Sequence, residues 1–231
     1  MTQSNIIRKI FNSRQDISDY VFHFTKRQNA KETLKSILKD NAIKDIRGNG
    51  YLCFSEAPIT MLPSMFKIFK QYTNPLYAPY GIGIKKDAFY KKGGKPVIYG
   101  DLKDRQLIPN ELKWRFEYYN PDSYDFSWLR EWRILTSKYE LNFNDSFVII
   151  DTRKDYTEMQ SFFLKLDDID IDSQPEDGGI LTEYTAYFTR MKKVVIMEDI
   201  NELNSMSKQK LKEFLKYQDD QYSCPLGATW E

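Results

Sequence analysis

The apolar residues of this chain come in short segments punctuated by Gly, Pro, Asn and Asp, and none approaches the roughly 18 consecutive apolar residues that a membrane-spanning helix needs. A core must therefore be assembled from several short strands and helices. The N-terminal stretch MTQSNIIRKIF has no long apolar run followed by a small-residue cleavage site, so no secretory leader is read there. No membrane association and a cytoplasmic location are the expectations. The two cysteines, Cys53 and Cys224, lie far apart and read as free thiols of a reducing compartment rather than a disulfide framework.

Periodicity places the elements. Asp19-Tyr20-Val21-Phe22-His23-Phe24-Thr25 alternates as a strand does, with His23 and Thr25 on one face. From Asn29 to Ile43, Ala30, Leu34, Ile37 and Leu38 recur at helical spacing, a stripe that predicts a surface helix ending before Gly48. Gly48-Asn49-Gly50 is turn chemistry ahead of a short buried strand, Tyr51 to Phe54. Further strands are expected over Gly81–Lys85, Pro96–Tyr99, Leu129–Leu135, Phe147–Asp151 and Val194–Met197. Helices are expected over Met61–Tyr72, Tyr156–Leu166 and Ser207–Tyr217. The acidic run from Asp167 to Gly179 reads as an exposed loop. Strands and helices do not alternate strictly, which predicts an α+β fold of mixed, mostly antiparallel strands with flanking helices. A single domain over 1–231 is expected, with its core in 20–135 and further strands and a C-terminal helical flank in 140–231.

Thirty-four basic residues against 33 acidic ones leave a net charge of +1, so no global field draws the chain to a polyanion. His23 is the one histidine, which excludes mechanisms needing two imidazoles, most zinc sites among them; no metal is expected. The 15% aromatic content is high and can fill a core or wall a pocket for a flat ligand.

The ordered series is His23-Phe24-Thr25, the helix with Leu34 and Leu38, Tyr51-Leu52-Cys53-Phe54-Ser55-Glu56 with Pro58, Tyr80-Gly81-Ile82-Gly83, Pro96-Val97-Ile98-Tyr99, and Glu131-Trp132-Arg133. Taken together it resembles the AbiGi-type abortive-infection proteins of bacterial phage defence. More remotely it is similar to DarT-like ADP-ribosyltransferases, in which a His-x-Thr element opens the domain and a later glutamate closes the site. The resemblance covers about residues 20 to 135. It implies an ADP-ribosyltransferase-like core, NAD as substrate, and either transfer of ADP-ribose to a macromolecular acceptor (nucleic acid or protein) or hydrolysis of NAD. A cognate defence-system protein is a further implied partner.

Such chemistry creates an oxocarbenium-like centre, and it needs ribose positioning, an aromatic wall and a carboxylate near the developing charge. His23 and Thr25 would hold the ribose hydroxyls, Tyr51 or Phe54 would stack on the nicotinamide, Ser55 would add a polar contact, and Glu131 would stabilise the cation. Each has a plainer reading. Ser55 and Glu56 can cap the helix near Pro58. Glu131 can be a carboxylate held in an ion pair with a neighbouring arginine. Arg27 or Arg133 can meet a pyrophosphate.

The stretch Ala57 to Leu62 lacks the arginine that DarT-like proteins carry there, which favours an alternative: a non-catalytic binding or regulatory member of a toxin–antitoxin or abortive-infection pair. A second alternative is a metal-dependent nuclease built on Asp101 and Glu111-Leu112-Lys113. The basic stretch Lys85 to Lys95, interleaved with Phe89 and Tyr90, reads as a solvated loop that can also grip a phosphate backbone.

Overall fold

Tyr20, Phe22 and Phe24 alternate with Val21 and His23, so β1 (Tyr20–Phe24) is apolar on both faces, a pattern that suits the middle of a sheet covered on two sides. The computed structural model, which describes residues 10, 17–26, 28–120, 122, 125–176, 179–190 and 192–214, with side chains described outside 166–190, puts it there. After β1 come α1 (Ala30–Asp40), β2 (Ala42–Lys44), β3 (Leu52–Ser55), α2 (Leu62–Phe69), β4 (Gly81–Lys85), α3 (Lys86–Lys91), β5 (Lys95–Pro96) and β6 (Ile98–Gly100). There follow α4 (Leu102–Leu107), β7 (Phe116–Tyr118), β8 (Glu131–Ile134), β9 (Lys138–Glu140), β10 (Ser146–Ile150), α5 (Arg153–Glu158), β11 (Leu164–Glu176), β12 (Gly179–Arg190), β13 (Val194–Ile196) and α6 (Met197–Ser205).

Seven strands form the main sheet in the order β13-β10-β4-β1-β3-β8-β5. Only β10 and β13 run parallel; the other neighbours are antiparallel. The fold is therefore α+β, with helices on a mostly antiparallel mixed sheet. Among the described residues no helix is long and apolar enough to cross a membrane.

Register decides what each face carries. Phe22 lies opposite Gly83 on one side and Ser55 on the other, and Gly83 lies opposite Phe147. A β-carbon at Gly83 would sit 2.5 Å from the Phe147 ring, so glycine is what lets that ring cross the sheet between Tyr20 and Phe22. On this second face Phe22, Phe24, Phe147 and Ile149 pack under α2 and α6 through Leu62, Phe66, Met197 and Ile200. On the first face Val21, Phe54, Ile82 and Val148 pack under α1 and α3 through Leu34, Leu38 and Phe89. Burying one such Leu, Ile or Phe side chain contributes about 1.5–3 kcal/mol. Beside this core the Asp155 carboxylate, buried, accepts from Lys31 Nζ (2.7 Å), the Tyr80 hydroxyl (3.0 Å) and the Thr152 hydroxyl (2.7 Å).

Several expectations shift. α1 stops at Asp40, because Asn41 turns left-handed (φ 51°) and its N–H closes on the Ile37 carbonyl. The helix expected over Tyr156–Leu166 is only α5 and a short 3-10 turn, Gln160–Phe162. The acidic run expected to be a loop belongs to β11, which pairs with β12 in a two-stranded ribbon outside the main sheet. Asp168, Asp170 and Asp172 alternate with Ile169 and Ile171, and that period of two is a strand pattern that outweighs the charge. Residues 208–214 are helical, and the rest of the expected C-terminal helix lies outside the described residues, as do Arg27 and Cys224.

Candidate functional site

Among the described residues the helices of the second face, α2 and α6, pack on residues of β13, β10 and β1 and not on those of β3 or β8. There the upward residues are polar: Tyr51, Cys53 and Ser55 along the β3 segment, and Glu131 and Arg133 on β8, with Cys53 opposite Arg133 and Ser55 opposite Glu131. Strand periodicity alone groups these residues once the two strands are paired.

β1 and β4 pair at all five positions of β1, but β1 and β3 share a single pair, Phe22 with Ser55. Beyond it the ladder is not continued. The Cys53 carbonyl is met instead by the His23 imidazole, whose Nδ1 lies 2.9 Å away. A carbonyl only accepts, so Nδ1 carries the hydrogen and Nε2 is the lone-pair nitrogen. Nε2 has no hydrogen-bond partner among the described residues. Burial holds the His23 pKa below its ordinary 6.5; the Cys53 carbonyl opposes this, and the Lys26 charge adds to it.

That shift has a measurable consequence. Because the folded ring takes a proton less readily than the unfolded one, the stability it supplies is complete above pH 6.5 and is lost as pH falls below that value. With one histidine in the chain, a nitrogen-detected NMR titration reads it directly: the expected result is a neutral Nδ1–H tautomer and a midpoint under 6.5. A midpoint above 6.5 would contradict the assignment.

Cys53 is exposed to solvent on this face. Burial and the adjacent Glu131 carboxylate push its thiol up to about 12, so it is no nucleophile at neutral pH. Glu131 is half-buried; its Oε1 accepts from Arg133 Nε at 2.8 Å, and its backbone N–H donates to the Tyr99 hydroxyl at 3.1 Å. The guanidinium lies over the Tyr51 ring at 4.6 Å, and its Nη1 donates to the carbonyls of Trp114 (3.0 Å) and Phe116 (2.9 Å). Arg133 Nη2 reaches Glu117. Tyr77 closes the cluster from the side, with Lys26 Nζ 5.0 Å from its ring and Trp128 edge-on at 6.4 Å. Its hydroxyl is held above the ordinary tyrosine range by burial first, then by Glu131, Cys53, Tyr99 and Glu117.

The structure thus redistributes the residues read from sequence. By register the backbone positions of His23 and Glu131 face opposite sides of the sheet, since His23 pairs with Ile82 and Glu131 with Ser55. The direct meeting of the two across one cleft is corrected to a meeting through Cys53, whose carbonyl holds His23 and whose side chain lies against Glu131. Thr25 is removed from the ribose role: it is buried, and its hydroxyl donates to the Tyr80 carbonyl at 2.9 Å. Phe54 is core, 3% exposed and 4.4 Å from the Phe89 ring, not a wall for a ligand. Ser55 is likewise buried, donating to Leu129 O at 2.7 Å and accepting from the Ala57 N–H. Tyr51 does lie beside Glu131, with one ring face taken by Arg133.

Arg133 spends its donors internally and is unsuited to a pyrophosphate. Glu56 is tied to Lys86 Nζ and Trp132 Nε1, both at 2.6 Å. Asp101 caps α4 through the N–H groups of Lys103 and Asp104, which leaves the nuclease reading without that carboxylate. In the basic stretch, Lys85 pairs with Asp145 and Lys95 lies over Tyr90. Among the described residues no group of three or more His, Cys, Asp or Glu converges as a metal site would. Tyr77, in a loop, carries no sequence signal that would have found it.

Comparison with protein-family models, with curated proteins and with solved structures finds no match to this chain.

Proposed function

We propose that this chain has an ADP-ribosyltransferase-like core and cleaves the bond between nicotinamide and ribose of NAD, passing ADP-ribose to a macromolecule or to water, in a bacterial phage-defence or toxin role. The defence role rests on the resemblance of the His23, Tyr51–Glu56 and Glu131–Arg133 segments. One observation carries the chemistry. Beside the exposed Cys53 on β3, the Glu131 carboxylate is oriented by Arg133 and lies among Tyr51, Tyr77 and Tyr99.

In that setting the C1′–N bond breaks with its electron pair leaving on nicotinamide, and Glu131 stabilises the positive charge that develops on the ribose. The tyrosines supply flat apolar surface for the departing ring. His23, on the other face of the sheet, acts only through the backbone, its Nδ1–H holding the Cys53 carbonyl of the strand that lies beside Glu131. The acceptor is a nucleic acid, a protein or water, and a cognate defence protein remains a partner within this reading.

One observation favours a second reading, a non-catalytic binding or regulatory protein. Glu131, Arg133 and Glu117 already form a closed ion network that orders β8 without any ligand. Incubation with NAD, followed by nicotinamide release and calorimetric titration, separates the two. Release of nicotinamide is expected. Heat of binding without release would move the conclusion to the second reading, and neither signal would overturn both.

A further inference from the structure

We infer that Arg133 is the positioning residue of the Glu131 site, fixing which carboxylate oxygen faces the substrate. The inference rests on the NAD-cleaving reading and adds to it a residue that need never touch substrate.

Arg133 is built for holding rather than binding. Its side chain is 5% exposed, and four of its N–H donors are engaged: Nε on Glu131 Oε1, Nη1 on two backbone carbonyls, and Nη2 on Glu117. The Trp114 carbonyl belongs to the 3-10 helix Asn110–Arg115 and the Phe116 carbonyl opens β7, so the guanidinium is pinned to a neighbouring layer of backbone. The Tyr51 ring stacked on it at 4.6 Å blocks rotation out of plane. A fork fixed at that many points holds Oε1 in one place and leaves Oε2 for other donors. A cation that only supplied charge would need none of these anchors.

The test separates orientation from stability. Arg133→Lys keeps the charge but loses the planar fork, so kcat for nicotinamide release is expected to fall by about 10- to 100-fold with KM within about twofold. Glu131→Asp keeps a carboxylate but draws it back from Arg133 Nε by one methylene, and kcat is expected to fall at least about tenfold. Asp155→Asn, in the separate network with Lys31, Tyr80 and Thr152, is the control: its melting temperature should drop while kcat stays within about twofold of wild type.

Equal loss of kcat in Asp155→Asn and Arg133→Lys would overturn the inference, since general loosening would then explain both. So would a Glu131→Asp variant retaining more than half of wild-type kcat, which decides the matter even if Arg133→Lys fails to fold. Absence of nicotinamide release from the wild-type protein is the separate failure of the reading beneath.

Discussion

Glu131→Gln is expected to lower nicotinamide release at least about 100-fold while leaving the melting curve nearly in place. The amide oxygen of glutamine still accepts the Arg133 Nε hydrogen that Oε1 accepts now, and Arg133 keeps Glu117 as its counter-charge. The change therefore falls on the charge offered to the ribose rather than on the network. The loss should lie in kcat, because a carboxylate facing a developing cation is felt in the transition state more than in the bound substrate. Nicotinamide quantified over time at saturating NAD reads the first effect, and a thermal melt reads the second. Activity within threefold of wild type, on the order of 0.6 kcal/mol in barrier, would remove Glu131 from the reaction.

The largest stability effect is expected at Arg133→Ala. Removing a guanidinium that is 5% exposed leaves the carboxylates of Glu131 and Glu117 without their cation and the carbonyls of Trp114 and Phe116 without their donor, a class of change that costs about 3–5 kcal/mol. For a chain of this size that is roughly 10 °C in melting temperature. Burial alone would make the cation harder to keep, but the Glu131 charge and hydrogen bond more than reverse this and hold the Arg133 pKa above its ordinary value, so the guanidinium keeps its charge across neutral pH. A melt lowered by less than about 2 °C would show instead that water and side-chain movement satisfy those groups without Arg133.

Much of this arrangement was legible in the order of residues, and what was not has identifiable causes. The alternation in Tyr20–Phe24, the short run Tyr51–Phe54 after its Gly-Asn-Gly turn and the stripe of Leu34, Ile37 and Leu38 predict their elements, the second strand lying one residue further on, at Leu52–Ser55. The roles of Phe54 and Thr25 were not legible. A strand pattern says which residues share a face, but not which face is roofed by helices, and α1 and α3 roof the one that holds Phe54. Thr25 follows β1, where its hydroxyl serves the Tyr80 carbonyl, a partner 55 positions away that no local pattern announces. Likewise Ser55 had two sequence readings, a ribose contact or a helix cap, and the structure gives a third: its hydroxyl donates to the Leu129 carbonyl and accepts from the Ala57 N–H, while the turn after Pro58 has no side-chain cap.

The ribbon of β11 and β12 bears on how the molecule responds to solvent. Among the described residues the two strands pair in a ladder only with each other, whereas β1 and β4 are flanked by neighbours on both sides. In deuterium exchange, amides of 164–176 and 179–190 should label early and those of β1 and β4 last, giving two populations from one chain. Outer edges of such a two-stranded ribbon are where a strand from another molecule would add, so crowding this protein at high concentration should register first there.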